Sequence, residues 1–514
     1  YAIIDHYTYV FTSDGDLQEG VAMEALALAG HYKLGRLIML YDSNDTQLNG
    51  PTSEVSSTNI KALAKAFNLE YLHVSDANDT KALDDAIRQA KTTEQPTLIE
   101  IKSILAYGSI KAGDSSAHGA PIGHEETERL RALWLGDTPR FHVTKDVYDD
   151  FRNHFQMRGQ NAYNQWQDTW SKYQKLHPEK ARQLTRIIDQ TDHEGVMAHL
   201  SEPAFDGYEA TRVSAGKIIQ EISQHMTSFI GGSADLSSST RVKGTDGRFS
   251  AQHRLGRDLD FGVREHAMGA IINGLTLHHL RGFSGGFFTF SDYMKPAIRL
   301  AALMRIPSIF IFTHDSIGIG EDGPTHQPVE QLSQFRAMPN CVTLRPADAF
   351  ETKITFEIAL NARTHPTIIV LSRQNLPSLP IQNRTGVLEG AYVVSEETEA
   401  EGVLFASGSE VSLALAVAKE LKENHQRFVD VVSVPSLDLF LAQPYETKEL
   451  ILKSHLPNRM AIEMGSPDAW YQLVDNVYGQ QQFGLSGKGE DIVKHFGFTK
   501  ENIVHVYLNR FNKS

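Results

Sequence analysis

Cysteine is almost missing from this chain: Cys341 is the one thiol among 514 residues. An intrachain disulfide is excluded, and a reducing, cytoplasmic setting is the expectation. Cys341 lies in the apolar run "CVTL", which suits a small buried side chain. Long apolar stretches are missing too. "SIFIFT" and "TIIVLS" are strand-sized, far short of the roughly 20 residues that cross a bilayer, so neither a membrane span nor a signal peptide is expected. Positive charge is the scarcer sign. The 49 Lys and Arg against 63 Asp and Glu leave a formal charge of −14, which removes general attraction to nucleic acid or acidic membranes but permits a local site for a small anion. There is no short-period repeat and no low-complexity tract. No methionine opens the chain, which begins at Tyr1 close to an apolar run; a first block short of its N-terminal portion is the expectation.

What is present is an ordinary globular composition, 41% hydrophobic and 22% charged, in a chain long enough for three or four domains. From 7 to 102, apolar runs ("YTYVF", "RLIMLYD", "EYLHV", "TLIEIK") alternate with helix-like stretches such as "EGVAMEALALAGHYKLG". The alternation predicts parallel strands joined by crossover helices. A second block follows with "SFIGGS", "SIFIFTHDS", "CVTLRP" and "TIIVLSR", and a third with "GVLFASGS", "FVDVVSVPS" and "RMAIEMG". The charged, aromatic stretch between the first two blocks reads as a helical connector along the surface. The division expected is 1–123, connector 124–206, second block 207–385 and third block 386–514, giving three consecutive α/β domains with mostly parallel sheets.

In "YTYVFTSDGDLQEG" a carboxylate, Asp14, stands where a strand should end, and open α/β sheets bind ligands beyond those ends. Gly15 allows a tight turn, and the helix that follows directs its N-terminal amides toward the same crevice, which suits a phosphate. A carboxylate beside a phosphate needs a cation between them. Asn44 in "YDSND" occupies the next strand tip, and Asp14, Asn44 and the backbone carbonyl of Thr46 would offer oxygen ligands to Mg²⁺ or Ca²⁺. Alone, "DG" is an ordinary turn. The pair at adjacent tips resembles the thiamine-diphosphate motif, G-D-G followed about thirty residues later by Asn, with Ser13 in place of the first glycine.

The second block adds "FGVREHAMGAIINGL", with Glu265 opening a helix after a strand, and "GGFFTFSDY", where Phe287, Phe290 and Tyr293 recur every third residue. Taken singly, these read as a helix-terminal acid and a core stripe. "THDSIGIGEDGPTHQPVEQL" and "LSRQNLP" follow. In this order, behind the diphosphate motif, the four stretches resemble transketolase from about residue 7 to the C-terminus. "GIGEDG" matches a dinucleotide-binding pattern, but Glu321, Asp322 and Pro324 give it the wrong charge and one amide too few. "GLSGKG" near residue 487 likewise lacks the spacing and hydroxyl of a phosphate-binding loop.

The resemblance implies ketol transfer from a phosphorylated ketose to an aldose phosphate, with thiamine diphosphate supplying the carbanion chemistry. It gives Glu265 a proton shared with the cofactor's aminopyrimidine, a role that needs a buried, protonated carboxyl. Phe287, Phe290 and Tyr293 would line the pyrimidine pocket. Gly15, Glu19 and His118 would lie near the diphosphate, with Asp235 and Leu236 on the cofactor's other side. Arg212, Ser239, His314 and Arg373 match phosphate-binding positions, Asp322 a hydroxyl-binding one, and His326 a proton-transfer one. A homodimer that shares the cofactor between subunits is implied, with the third block structural or at the interface. Dihydroxyacetone synthase, deoxyxylulose-phosphate synthase and a non-catalytic cofactor-binding subunit are the alternatives. Weak or absent turnover is expected of this 514-residue chain alone, since channel residues of the family fall upstream of Tyr1.

Overall fold

Apolar runs flanked by turn residues form strands here, and those at the sheet centres are buried on both faces, where a strand needs no polar alternation. The computed structural model describes residues 3–511. Tyr1, where the N-terminal shortfall was expected to fall, lies outside them. The strands β1 (Thr8–Ser13), β2 (Leu37–Ser43), β3 (Glu70–Val74) and β4 (Thr97–Lys102) make a parallel sheet in the order β1-β2-β4-β3. Its centre is dry: Ile38, Leu98 and Ile99 are fully or almost fully buried. Pairing of Ser13 with Asp42 sets the C-terminal ends of β1 and β2 side by side. A single 3₁₀ turn, Asp16–Gln18, precedes the first helix α1 (Gly20–His31), which begins within the stretch from Glu19 that the sequence pattern marks as helical. The first strand ends in a local bond: Ser13 donates from both its backbone N and its Oγ to Asp16, at 2.9 and 2.8 Å.

The contacts divide the chain into two compact units, residues 1–185 and 186–514. The first unit ends in helices that include His124–Leu135 and Met157–Leu176; the second of these has no buried residue. Residues further along the expected connector enter the second unit, where Val196 and Leu200 pack into a core with Ile218, Phe229 and Ile369.

In the second unit, β5 (Tyr208–Glu209) later pairs with the short β12. The strands β6 (Phe229–Ser233), β7 (Asp258–Asp260), β8 (Arg281–Phe287), β9 (Ile309–Thr313), β10 (Val342–Leu344) and β11 (Thr367–Leu371) form a parallel sheet ordered β10-β11-β9-β8-β6-β7. After β12 (Leu376–Pro377) come β13 (Tyr392–Ser395), β14 (Gly402–Ala406), β15 (Val429–Ser433), β16 (Asn458–Glu463) and β17 (Val477–Gly479). They form a sheet ordered β13-β15-β14-β16-β17, in which β13 alone is antiparallel. Cys341, just before β10, is buried, and burial pushes its thiol up.

The two sheets of this unit meet at a fully buried ionic cluster. Arg345, just past β10, donates to Asp315 at 2.7 Å and to the Ser407 carbonyl at 3.1 Å, and it also pairs with Glu410. Arg336 donates twice to Glu463, at 2.6 and 3.0 Å, and the Trp470 indole donates to the same carboxylate at 2.7 Å. Burial opposes charge on Arg345, yet Glu410 and Asp315 more than offset it and its pKa is raised. Removing one partner of such a cluster strands the others without water, at a cost of about 3–5 kcal/mol. Arg345→Ala should lose that much stability in urea unfolding followed by tryptophan fluorescence, and a loss below about 1 kcal/mol would show that the cluster behaves like a surface pair.

Candidate active site

In the first unit, Asp14 lies just past β1 and is buried. Its carboxylate is held from both sides: Tyr41 OH donates to Oδ1 at 2.5 Å, and the Asn44 backbone N donates to Oδ2 at 3.2 Å. Burial first, and then the bond to Asp14, raise the Tyr41 pKa, so its hydroxyl stays protonated and donating. Asn44 Oδ1 accepts from the Thr46 N at 2.9 Å, and Thr46 Oγ1 returns a bond to the Asn44 carbonyl at 3.0 Å. Asp45 between them takes a positive φ of 53°. The structure thus brings Asp14, Asn44 and Thr46 into one oxygen-rich corner.

That corner has room for a ligand. Gly15 adopts an ordinary φ of −69°, and a Cβ added at Gly15 or Gly20 would meet nothing within 4 Å. Nothing in the chain itself therefore demands glycine there; what the missing side chains leave free is space beside Asp14, where a diphosphate could approach the backbone. No group of three or more His, Cys, Asp or Glu among the described residues could hold a metal ion. A cation at Asp14 would depend on amide, carbonyl and diphosphate oxygens, which fits hard oxygen-seeking Mg²⁺ or Ca²⁺. Glu19 and His118 are exposed and take no part in the hydrogen bonds around Asp14.

Behind Asp14 lies a network that the sequence motif does not contain. Lys102 donates to Ser43 at 2.7 Å and pairs with Glu100 at 2.8 Å, while Tyr71 donates to Glu100 at 2.6 Å. Burial alone would raise the Glu100 pKa, but the bonds from Lys102 and Tyr71 outweigh it and hold the carboxyl below its usual range. These residues and Asp14 line a cavity of about 840 Å³. Period-two spacing in β2 puts Tyr41 and Ser43 on one face, which is the signal that could have found them.

The second unit assembles the remaining candidates around the C-terminal ends of its sheet. Phe287 ends β8, and its ring lies 3.9 Å from that of His314 and 5.9 Å from those of Phe290 and His326. Phe290 is 5.1 Å from His326. Tyr293 continues the series at 6.2 Å from Phe290 but is exposed, so the stripe is core at one end and surface at the other. Glu265 is the first residue of the helix Glu265–Leu277. The burial expected of it is only partial in the single chain, because the first residue of a helix lies at the rim of the packed layer.

His314 follows β9 with a φ of 66°, in the left-handed region. Burial, and then the charges of Arg212, Arg373 and His326, push its pKa down to about 3. It is a neutral hydrogen-bonding group at ordinary pH. Arg212 donates to the Ser239 carbonyl at 2.5 Å, and Arg373 donates to the Ile319 carbonyl at 3.0 Å. Burial and then the charge of Arg373 lower the Arg212 pKa. Among the described residues neither guanidinium pairs with a carboxylate, and two like charges held close around a neutral imidazole suit an anion able to chelate both. Asp235, at a positive φ of 61°, and Leu236 follow β6 on the way to Ser239. Asp322 is exposed in the loop beyond His314.

Known proteins match along the whole chain. Residues 1–192 match a family model described as the thiamine diphosphate binding domain of transketolase, residues 209–378 its pyrimidine binding domain, and residues 390–499 a transketolase-like C-terminal domain. A transketolase of Staphylococcus aureus strain MRSA252 is 44% identical over 521 residues, covering 99% of this chain and 78% of its own length. Transketolase from Leishmania mexicana superposes with a TM-score of 0.95 at 36% identity, covering 99% of this chain and 76% of its own. A Pichia stipitis transketolase mutant in complex with xylulose 5-phosphate gives 0.95 at 35% identity, with the same coverage.

The depressed His314 pKa has a sign that can be checked. Below its unfolded value of about 6.5 the unfolded chain binds a proton that the folded chain refuses, so stability falls as pH drops from about 6.5 toward about 3. His314→Asn should flatten the acid limb of the stability curve, by up to about 1.4 kcal/mol per pH unit in ligand-free protein; an unchanged slope would mean that His314 protonates freely.

Proposed function

As this chain belongs to the transketolase family, we propose that the corner at Asp14 and the cationic site at Arg212 and Arg373 serve the two halves of that reaction, cofactor anchoring and sugar-phosphate recognition. The chain is a thiamine-diphosphate-dependent enzyme that transfers ketol groups. When bound, the cofactor supplies the electron sink for breaking a carbon–carbon bond next to a carbonyl.

The residues divide the remaining work. Asp14, Asn44 and the Thr46 carbonyl hold Mg²⁺ or Ca²⁺ against the diphosphate, and Gly15, Glu19 and His118 lie along it. Phe287, Phe290 and Tyr293 flank the pyrimidine, Asp235 and Leu236 approach it from the other side, and Glu265 holds a proton at its ring nitrogen. Arg212, Ser239, His314 and Arg373 bind the sugar phosphate, Asp322 accepts a hydroxyl of the sugar, and His326 moves a proton at the ketol carbon. The substrates are a ketose phosphate such as xylulose 5-phosphate and an aldose phosphate such as ribose 5-phosphate or erythrose 4-phosphate, as in a cytoplasmic pentose phosphate pathway. The half-exposed Glu265 and the exposed Tyr293, Leu300, Leu303 and Met304 on the helix Ser291–Met304 favour a homodimer in which the partner completes the site. The domain division 1–123, 124–206, 207–385 and 386–514 belongs to the same reading.

The observation that carries this function is the pair Arg212 and Arg373, close enough for the Arg373 charge to lower the Arg212 pKa yet, among the described residues, paired with no carboxylate. Bonds to a charged ligand contribute about 1.5–3 kcal/mol each. Arg373→Leu should therefore raise KM for xylulose 5-phosphate by about 10- to 100-fold and leave the unphosphorylated ketose unaffected. An equal loss with both sugars would move Arg373 away from the phosphate. Glu265→Ala should abolish ketol transfer in a coupled assay while the circular dichroism spectrum stays that of the parent, and retained turnover would remove Glu265 from the chemistry.

A further inference from the structure

Two glycine-rich runs that resemble nucleotide loops, "GIGEDG" at 318–323 and "GLSGKG" at 484–489, turn out to face each other. The first lies in the loop between β9 and β10 that also carries His314, Asp322 and His326; the second follows β17 in the third block. Their glycines are contact glycines. A Cβ on Gly320 would come within 2.7 Å of the Gly489 N, one on Gly489 within 2.6 Å of the Gly318 carbonyl, and one on Gly323 within 2.3 Å of Ser486 Oγ. Gly320 and Gly323 also have positive φ, 84° and 78°, so no larger residue suits either count.

Gln327, the neighbour of His326, ties the two runs together. Its side chain is buried, and its Nε2 donates both to the Gly320 carbonyl within the loop and to the Leu485 carbonyl of the third block, each at 2.9 Å. Gly484 packs onto the same amide so closely that a Cβ there would overlap Oε1. At the loop's other end, Asp315 is held by Arg345, whose remaining donors reach Ser407 and Glu410 of the third block. The loop is therefore tied to the third block at both ends, directly through Gln327 and, at Asp315, through Arg345, which follows β10 of the loop's own sheet.

We propose that Gln327 and the turn Gly484–Gly489 form a positioning clamp, by which the third domain fixes the loop that presents Asp322 and His326 to the sugar. This rests on the assignment of that loop to the sugar site. Gln327 touches no reacting atom; it acts through the backbone of its neighbours. One amide donor serving two carbonyls from two domains links the loop's curvature to the third domain's position.

Gln327→Met keeps the side chain's length and removes both donors, and Gly484→Ala pushes the amide aside while leaving Gln327 itself in place in the sequence, so two variants test the clamp by different routes. In the full-length assembled protein, each should speed amide hydrogen exchange over residues 317–328 about tenfold, leaving the strands unchanged, and lower kcat/KM for xylulose 5-phosphate by a similar factor. The affinity for thiamine diphosphate, followed by fluorescence quenching, should stay within about twofold, which a general loss of structure would not allow. Unchanged exchange in both variants overturns the clamp, and so does faster exchange with unaltered kcat/KM. If the parent protein turns over no ketose phosphate, the sugar-site reading falls, and the exchange data still decide whether the clamp exists.

Discussion

Arg345 and the carboxylates around it are the constraint from which the second unit's architecture follows. Two guanidinium groups, Arg336 and Arg345, and three carboxylates, Asp315, Glu410 and Glu463, lie out of water in one contiguous cluster. Each ion alone would cost several kcal/mol to bury. Together they are tolerated only in one mutual arrangement, because each carboxylate is met by a guanidinium and the Trp470 indole and Ser407 hydroxyl add donors to Glu463. Since the guanidinium groups come from the second block and two of the carboxylates from the third, neither sheet can shift without opening charges to a medium that cannot solvate them. The apolar cores around Ile311 and Phe405 supply the area; the cluster supplies the alignment.

The two units treat charge in opposite ways. In the first, the buried carboxylate of Asp14 is held by neutral donors, a tyrosine hydroxyl and a backbone amide, and is left with capacity for a cation. In the second, Arg212 and Arg373 have no carboxylate partner among the described residues, and His314 between them is kept neutral. An acidic corner and a basic corner, each incompletely satisfied by its own chain, are what a protein needs to receive a cation-bound diphosphate and a sugar phosphate. The overall charge of −14 gives no hint of the basic corner, which is local.

Strands and their order in the chain were legible because apolar runs bounded by turns are short-range signals, and Asp14 with Asn44 was legible because adjacent parallel strands convert a fixed sequence spacing into a fixed distance. Arg212 and Ser239 were legible only through family likeness; no local pattern marks a pair 27 residues apart. Tyr41 was hidden in plain view, its role set by the carboxylate on the neighbouring strand. Gln327 was out of reach altogether, since its partner lies 158 residues on. Glu265 is only partly buried in the single chain, because a chemical requirement, a protonated carboxyl, says what must surround a residue when it works and not what its own chain supplies. The glycine runs, set aside as nucleotide loops, mark a different need: both are places where the chain must come close to itself.

The contact between Gln327 and Leu485 also has a meaning in time. A ribosome that has just made Gln327 must add 158 further residues before the Leu485 carbonyl exists, at about 5–20 residues per second. The six-stranded sheet is complete only with Leu371 at the end of β11, and Leu485 lies 114 residues further on, so for roughly 6 to 23 seconds that sheet can be formed while the loop over its edge lacks its partner. Over that interval Gln327 has no carbonyl of the third block to bond, and the last block to be made is the one that supplies it.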